Sequence, residues 1–177
     1  EMGASEEEAV AAYVDEQLDP DSIDDKRATR AVRRFEAIHA PLAEMYEYKE
    51  EFLLEQMTRA TLVGATRSKR QLFEMMVHFW SDHFNIDASK EECRWLKAAD
   101  DREVIRKHAL GNFLEMVRAS ALSPAMLWYL DGRENRKQNE DEKPNENYAR
   151  ELLELHTLGV DGGYSQKDVM EVARCLS

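Results

Sequence analysis

The stretch Asn145-Glu-Asn-Tyr-Ala-Arg-Glu-Leu-Leu-Glu-Leu-His-Thr-Leu-Gly159 combines apolar, acidic, basic and aromatic side chains at helical spacing. Asn145 is a suitable N-cap, and Gly159 suits the position that follows the last turn of a helix. We therefore expect a helix over residues 146–158 that organises the rest of the fold.

The apolar stripe of this helix consists of Tyr148, Leu152 and Leu155, at positions i, i+4 and i+7. Glu151 and His156 flank the stripe, about 140° apart at the rotation of an α-helix. One helix therefore cannot direct the whole Glu-x-x-Glu-x-His pattern to a single ion. A metal site here would need ligands from a second helix.

The composition predicts an all-α globular protein. Of 177 residues, 43% are apolar and 34% charged, which separates the chain from disordered proteins. Only 7 Gly and 4 Pro occur, and good helix formers dominate.

The charge balance disfavours two classes of partner. Lys and Arg number 24 against 36 Asp and Glu, a net charge of −12, which repels nucleic-acid backbones and anionic lipid. No apolar run approaches the ~20 residues of a membrane span, and no signal peptide is visible at the start. Cys93 and Cys175 are too few for a disulfide framework, although one bridge between them remains open.

Two further segments complete the expected core. Residues 70–84 form a central helix on which Leu72, Met76, Phe79, Trp80 and His83 share a face, and residues 101–121 form a long helix. We predict an all-α, multi-helix orthogonal bundle, a single domain over residues 1–177. In it, the helix at 70–84 packs against those at 101–121 and 146–158.

The ends of the chain and one loop carry their own predictions. Ser5–Glu8, Ser68–Gln71 and Ser165–Asp168 read as capping boxes that open helices. The first of these helices has one apolar face, made of Val10, Tyr13, Val14 and Leu18. Residues 132–144 are charged and lack periodicity, so this loop is either mobile or functional. The last helix runs to the final residue, which suggests a fragment of a longer polypeptide.

Three polar positions of the central helices permit two interpretations each. His83, beside Trp80, is either a metal ligand or general base, or a core histidine with a backbone partner. His108 on the long helix has the same alternatives. The stripe Glu74, His78 and Asp82 is either a solvated charge ladder or a set of carboxylates that orient His78.

The 146–158 helix contributes the remaining candidates. Asn145 and Asn147 either cap the helix and bond across it, or bind a ligand at its N-terminus. Arg150 is expected to pair with an acidic group on another helix rather than with Glu151. The candidate ligands for a divalent metal, zinc or iron, are His83, His108, Glu151 and His156.

Several motifs together carry a family resemblance. They are Phe79-Trp-Ser-Asp-His-Phe-Asn85, Arg106-Lys-His-Ala-Leu-Gly-Asn-Phe113, Ser123-Pro-Ala-Met-Leu-Trp-Tyr-Leu-Asp131 joined to the stretch 145–159, and Gly163-Tyr-Ser-Gln-Lys-Asp-Val169 with Glu171, Ala173 and Arg174. In order and spacing the chain resembles a bacterial family known as the domain of unknown function number eighteen hundred. The resemblance covers most of the chain.

The resemblance implies a longer, often exported protein, periplasmic or extracellular, that is commonly encoded beside an alkaline-phosphatase-like partner. It implies no activity. It singles out Trp80, His83, His108, Asn145, Asn147, Arg150, Glu151 and His156.

Two functions follow as hypotheses, and whether the protein is an enzyme stays open. The first is a scaffold or interaction module of a larger exported protein, in which His83, His108, Asn147, Arg150 and Glu151 form a buried network. The second is a metal-assisted hydrolase whose site is completed by a C-terminal region beyond this chain.

Overall fold

A computed structural model describes residues 5–136 and 143–177, and within them the chain forms helices and no β-strand. The predicted all-α class is therefore confirmed. The α-helices are α1 (Glu6–Leu18), α2 (Lys26–Val32), α3 (Leu42–Met45), α4 (Glu50–Arg67), α5 (Gln71–His83), α6 (Cys93–Asp100), α7 (Arg106–His108), α8 (Phe113–Ala121), α9 (Pro124–Tyr129), α10 (Asn147–Glu151) and α11 (Gln166–Cys175). Two π-helices, π1 (Asp101–Ile105) and π2 (Leu152–Thr157), and two 3-10 helices (Glu36–His39, Gly132–Glu134) complete the set.

Two of the three predicted capping boxes are present. Ser5 and Glu8 exchange both bonds at the start of α1, and Ser165 and Asp168 do so at the start of α11. Ser68 is different, because it follows the end of α4 and its hydroxyl donates to Asp25 at 2.7 Å. The last helix ends at Cys175 rather than continuing through the final residue.

The predicted single helix over residues 101–121 is wrong. The helix that begins at Cys93 continues through π1 and α7 to His108, and the chain then turns. Asn112 caps the next helix, α8, because its side-chain oxygen accepts from the backbone N–H groups of Leu114 and Glu115. Asn is a preferred N-cap residue, so Asn112 starts a new helix here although the apolar periodicity continues across it.

The predicted helix over 146–158 is confirmed in extent but not in geometry. It begins at Asn147, follows an α-helix to Glu151 and then widens into π2 through Thr157. Because each residue of a wider turn rotates the chain by less than an α-helical residue does, His156 takes the inward position expected for Leu155. His156 is 4% exposed, whereas Leu155 is 60% exposed.

The main core joins the three helical segments that the sequence singled out. Val77 of α5, Ile105 of π1 and Tyr148 of α10 are buried in one cluster with Phe84 and Met126. Smaller clusters lie around Met45 and Leu53, and around Val169 and Ala173.

Two apolar faces differ from expectation. On α5 only Val77 is fully buried, while Phe79, predicted on the core face, lies on the surface. On α1 the whole apolar stripe (Val10, Tyr13, Val14, Leu18) is exposed, and the buried residue is Gln17. Gln17 joins α1 to α5 by donating to the carbonyl of Lys69 and accepting from the N–H of Leu72.

Three other predictions meet the structure here. No helix in the described part of the chain is long and apolar enough to cross a membrane. Cys93 is a buried free thiol and Cys175 an exposed one, so they do not pair. Of the charged loop 132–144, residues 137–142 lie outside the described residues.

Candidate functional site

The predicted residues Trp80 and His83 form the centre of an aromatic cluster at the end of α5. The Trp80 indole N–H donates to the carbonyl of Ala109 at 2.9 Å, which fixes the ring. His83 stacks on Phe79 at 6.2 Å between ring centroids, and both His83 and Trp80 contact Phe113 of α8.

His156 closes this cluster from the inside. Its backbone carbonyl oxygen lies 3.0 Å from Nε2 of His83, and because a carbonyl only accepts, His83 carries its proton on Nε2. Burial, and then the neighbouring His83, lower the pKa of His156 to about 4. The Nδ1 atom of His156 has no hydrogen-bond partner among the described residues. His83 thus has the backbone partner that one of its two interpretations required.

Asn145 and Asn147 organise the entry into α10. The Asn145 side-chain oxygen accepts from the Asn147 N–H at 3.0 Å, a turn immediately before the helix. The Asn147 amide donates to the carbonyl of Leu130 at 3.1 Å and to Asp131 at 3.3 Å. Asp131 has a left-handed backbone conformation and also accepts from Lys90 at 2.9 Å. The Asn147 contacts are the bonds to other segments that one interpretation predicted, but the N-cap of α10 is Glu146 and not the expected Asn145.

Arg150 does not enter a buried network. Its guanidinium pairs with Glu146 at 2.8 Å and Glu154 at 3.0 Å, both on its own helical segment. The contact to another helix is a hydrogen bond to Gln166 at 2.6 Å, so the expected acidic partner on a different helix is wrong. A half-buried arginine network lies elsewhere, around Arg106.

That network absorbs the first member of the predicted charge ladder. Arg106 donates to both carboxylate oxygens of Glu74, at 3.2 and 3.1 Å, and to Asp101 at 3.0 Å. His78 and Asp82 are exposed and have no hydrogen bond to Glu74 among the described residues. Glu74 therefore holds α5 to α7 and does not orient His78.

The four predicted metal ligands are not brought together as a set. His83 and His156 contact each other, with ring centroids 6.3 Å apart. His108 and Glu151 are half-buried, and neither side chain hydrogen-bonds to that pair in residues 5–136 or 143–177. Over the same ranges, no group of three or more His, Cys, Asp or Glu side chains is positioned to hold a metal ion.

A buried polar cluster was missed at the sequence level. Asp100 of α6 is 3% exposed and accepts from the Ser123 hydroxyl at 2.6 Å, while its second oxygen has no partner in the described chain. Burial raises the pKa of Asp100, and the charge of buried Lys97 opposes that rise. Burial, and then Asp100, raise the pKa of Tyr148.

This cluster borders a cavity of about 420 Å³, which Asp100 and Ser123 line together with apolar residues such as Leu96 and Val104. The signal was present in the sequence. One face of α6 holds the positions i, i+3, i+4 and i+7, which are Cys93, Leu96, Lys97 and Asp100. This spacing places a charged pair on the core face of the helix.

Comparisons with known proteins place the chain in a family and no further. No curated protein matches it, and no solved structure matches it. A family model described as "Protein of unknown function (DUF1800)" matches residues 1–177.

Proposed function

The chain belongs to the DUF1800 family of proteins of unknown function, and we propose that it is a helical interaction module of a larger exported protein. It binds another polypeptide through an exposed aromatic surface. We define this aromatic surface by Met75, Phe79, His83, Phe113 and Leu114.

The exposure of this surface carries the proposal. Met75 is 68%, Phe79 55%, Phe113 43% and Leu114 55% exposed. Large contiguous apolar areas are uncommon on soluble monomers and mark sites of interaction. These side chains come from α5 and α8, which the contacts of Phe113 with Trp80 and His83 hold together.

The surface is also preorganised. Trp80 is anchored by its bond to Ala109, and Phe79 packs against it edge-on at 4.8 Å. His83 is held by the carbonyl of His156. Aromatic anchors with fixed orientations lose little conformational entropy on binding, which is the property of interface hot spots.

A second apolar face supports the same function. The stripe Val10, Tyr13, Val14 and Leu18 on α1 is 45–60% exposed. A stripe at this spacing is what a helix presents when it packs against a partner helix.

The partner in this proposal is a polypeptide segment of the same larger protein with a complementary apolar helix face. The family resemblance supports this choice because it implies longer, exported relatives. A separate alkaline-phosphatase-like protein is the other occupant that an experiment must distinguish.

Site-specific photocrosslinking tests the proposal directly. A photoreactive phenylalanine analogue replaces Phe79 in the longest protein that the gene encodes, expressed in its own cell. We expect an intramolecular crosslink, seen as a shift in mobility without added mass, mapped by mass spectrometry to a segment outside residues 1–177.

Leu62 on α4 provides the control, since it is 59% exposed and lies outside the aromatic surface. The analogue at Leu62 should give no crosslink to the same segment. An intermolecular product at Phe79 would replace the intramolecular partner with a separate protein. Equal, weak crosslinking at both positions would overturn the interaction surface itself.

A further inference from the structure

Several basic residues of this acidic protein line one groove between α2 and the segment that joins α4 to α5. The groove has a volume of about 720 Å³. Five exposed cationic residues of the groove form no ion pair with any residue in 5–136 or 143–177: Arg27, Arg30, Arg34, Arg67 and Lys69. We call this set the basic groove.

Buried hydrogen bonds hold the two walls of the basic groove together. Asp25, 8% exposed, precedes α2 and accepts from the hydroxyl of Ser68 at 2.7 Å and from the N–H of Lys69 at 3.1 Å. Gln17 binds the carbonyl of Lys69 from the other side at 3.0 Å. The proximity of the cations is therefore a property of the folded core and not of flexible side chains alone.

The cations of the basic groove lack partners within the part of the chain that the structure describes. None of the five side chains forms an ion pair or hydrogen bond there, although acidic residues outnumber basic ones 36 to 24. Some exposed arginines elsewhere do have carboxylate partners, as Arg59 has in Glu55 and Arg118 in Glu115. The two acidic residues that line the groove are already engaged: Asp25 by the bonds above, and Asp24 by Lys26 at 3.3 Å.

Like charges held close together repel, and a bound anion would offset that repulsion. Four of the five cations are arginines, whose planar guanidinium groups match the oxygens of phosphate in a bidentate manner. We propose that the basic groove binds a compact anion that carries two or more phosphate groups.

The remainder of the surface argues for a compact ligand. The net charge of the whole chain is −12, so the surface outside the groove is more acidic still. A long polyanion such as duplex DNA would extend beyond the groove onto that surface and be repelled. A small polyphosphate can stay within the groove, where basic side chains outnumber the two carboxylates of Asp24 and Asp25.

Isothermal titration with pyrophosphate and tripolyphosphate, at constant ionic strength, tests the proposal. The groove variant is Arg30→Gln with Arg67→Gln. The matched control is Arg59→Gln with Arg118→Gln, which removes the same charge from exposed, paired arginines on other faces. We expect the groove variant to raise the Kd by about tenfold or more, and the control to change it by about twofold at most.

A second groove variant, Arg27→Gln with Lys69→Gln, must give the same loss, and circular dichroism checks that each variant is folded. Vesicles that contain a phosphoinositide and a short DNA duplex form two further arms. Tighter binding of phosphoinositide vesicles in addition to pyrophosphate identifies a lipid headgroup as the phosphate source. The proposal would be overturned if the groove and control variants weakened pyrophosphate binding equally, or if pyrophosphate did not bind. It would also be overturned if only the vesicles or only the DNA bound.

Discussion

His83 and His156, 73 residues apart in sequence, meet through a 3.0 Å bond from the ring of the first to the backbone carbonyl of the second. The acceptor carbonyl belongs to the last turn of π2, where a helix leaves backbone carbonyls without intrahelical partners. The contact joins the end of α5 to π2 directly behind the aromatic surface.

Lowering the pH should destabilise the protein within a window set by the pKa of His156. Its pKa is lowered from 6.5 to about 4 in the folded protein, chiefly by burial, so between these values the unfolded chain binds more protons. The free energy of unfolding contributed by this residue is thus fully present above pH 6.5 and lost as the pH falls to about 4, a change of roughly 3 kcal/mol.

Urea denaturation across this range measures the slope, and His156→Phe removes the titrating group. At about pH 8 the difference in unfolding free energy between the variant and the wild type reflects only the altered packing. On acidification the variant should lose less unfolding free energy than the wild type. The same slope in both proteins would show that His156 does not bind a proton on unfolding.

Removal of the Ser123 hydroxyl should destabilise the fold. Ser123 is the donor to Asp100 at 2.6 Å, and the other Asp100 oxygen already lacks a partner among the described residues. Ser123→Ala leaves the buried carboxyl without this bond, at a cost of about 1–3 kcal/mol. Ser22→Ala is the control, because Ser22 is exposed and donates only to a nearby carbonyl. Similar denaturation midpoints for the two variants would contradict a buried role for Ser123.

Arg106, and not Arg150, should be the arginine on which stability depends. Arg106 is half-buried and binds Asp101 and the more deeply placed Glu74 at once, so Arg106→Ala leaves two carboxylates unpaired and costs about 1–3 kcal/mol. Arg150→Ala breaks pairs along one helical segment that salt screens, and its effect should be far smaller. Thermal unfolding compares the two variants at low and high salt. An equal or larger loss for Arg150→Ala would reverse this ranking.

The sequence predicted the helical class and most helix positions, because these follow from local periodicity and capping. It placed Leu155 inward and His156 on the flank because a helical wheel assumes the constant rotation of an α-helix, which π2 does not have. It also assigned Ser68 to a capping box, although the side chain is recruited by Asp25, 43 residues earlier.

The site was predicted less well for a related reason. His83 was identified because it lies within an apolar stripe, and Trp80 because the family resemblance singled it out. Their partners are the backbone carbonyls of Ala109 and His156, which carry no sequence signal. Asp100 and Lys97 were missed because charged side chains are normally solvated, and their burial arises from the packing of α6 against α9 and α4. The basic groove joins α2 to the α4–α5 segment, and only the tertiary structure reveals that proximity.

The wide turn of π2 has a consequence for comparisons among relatives. A π-helix is what an α-helix becomes when one residue is inserted, and a deletion there restores regular hydrogen bonding. Loss of one residue from 152–157 would rotate the following segment by about 100° and carry the His156 side chain away from His83. A relative one residue shorter at this point should therefore carry an apolar side chain where His156 now lies. An alignment without a gap there would pair residues whose side chains point in different directions.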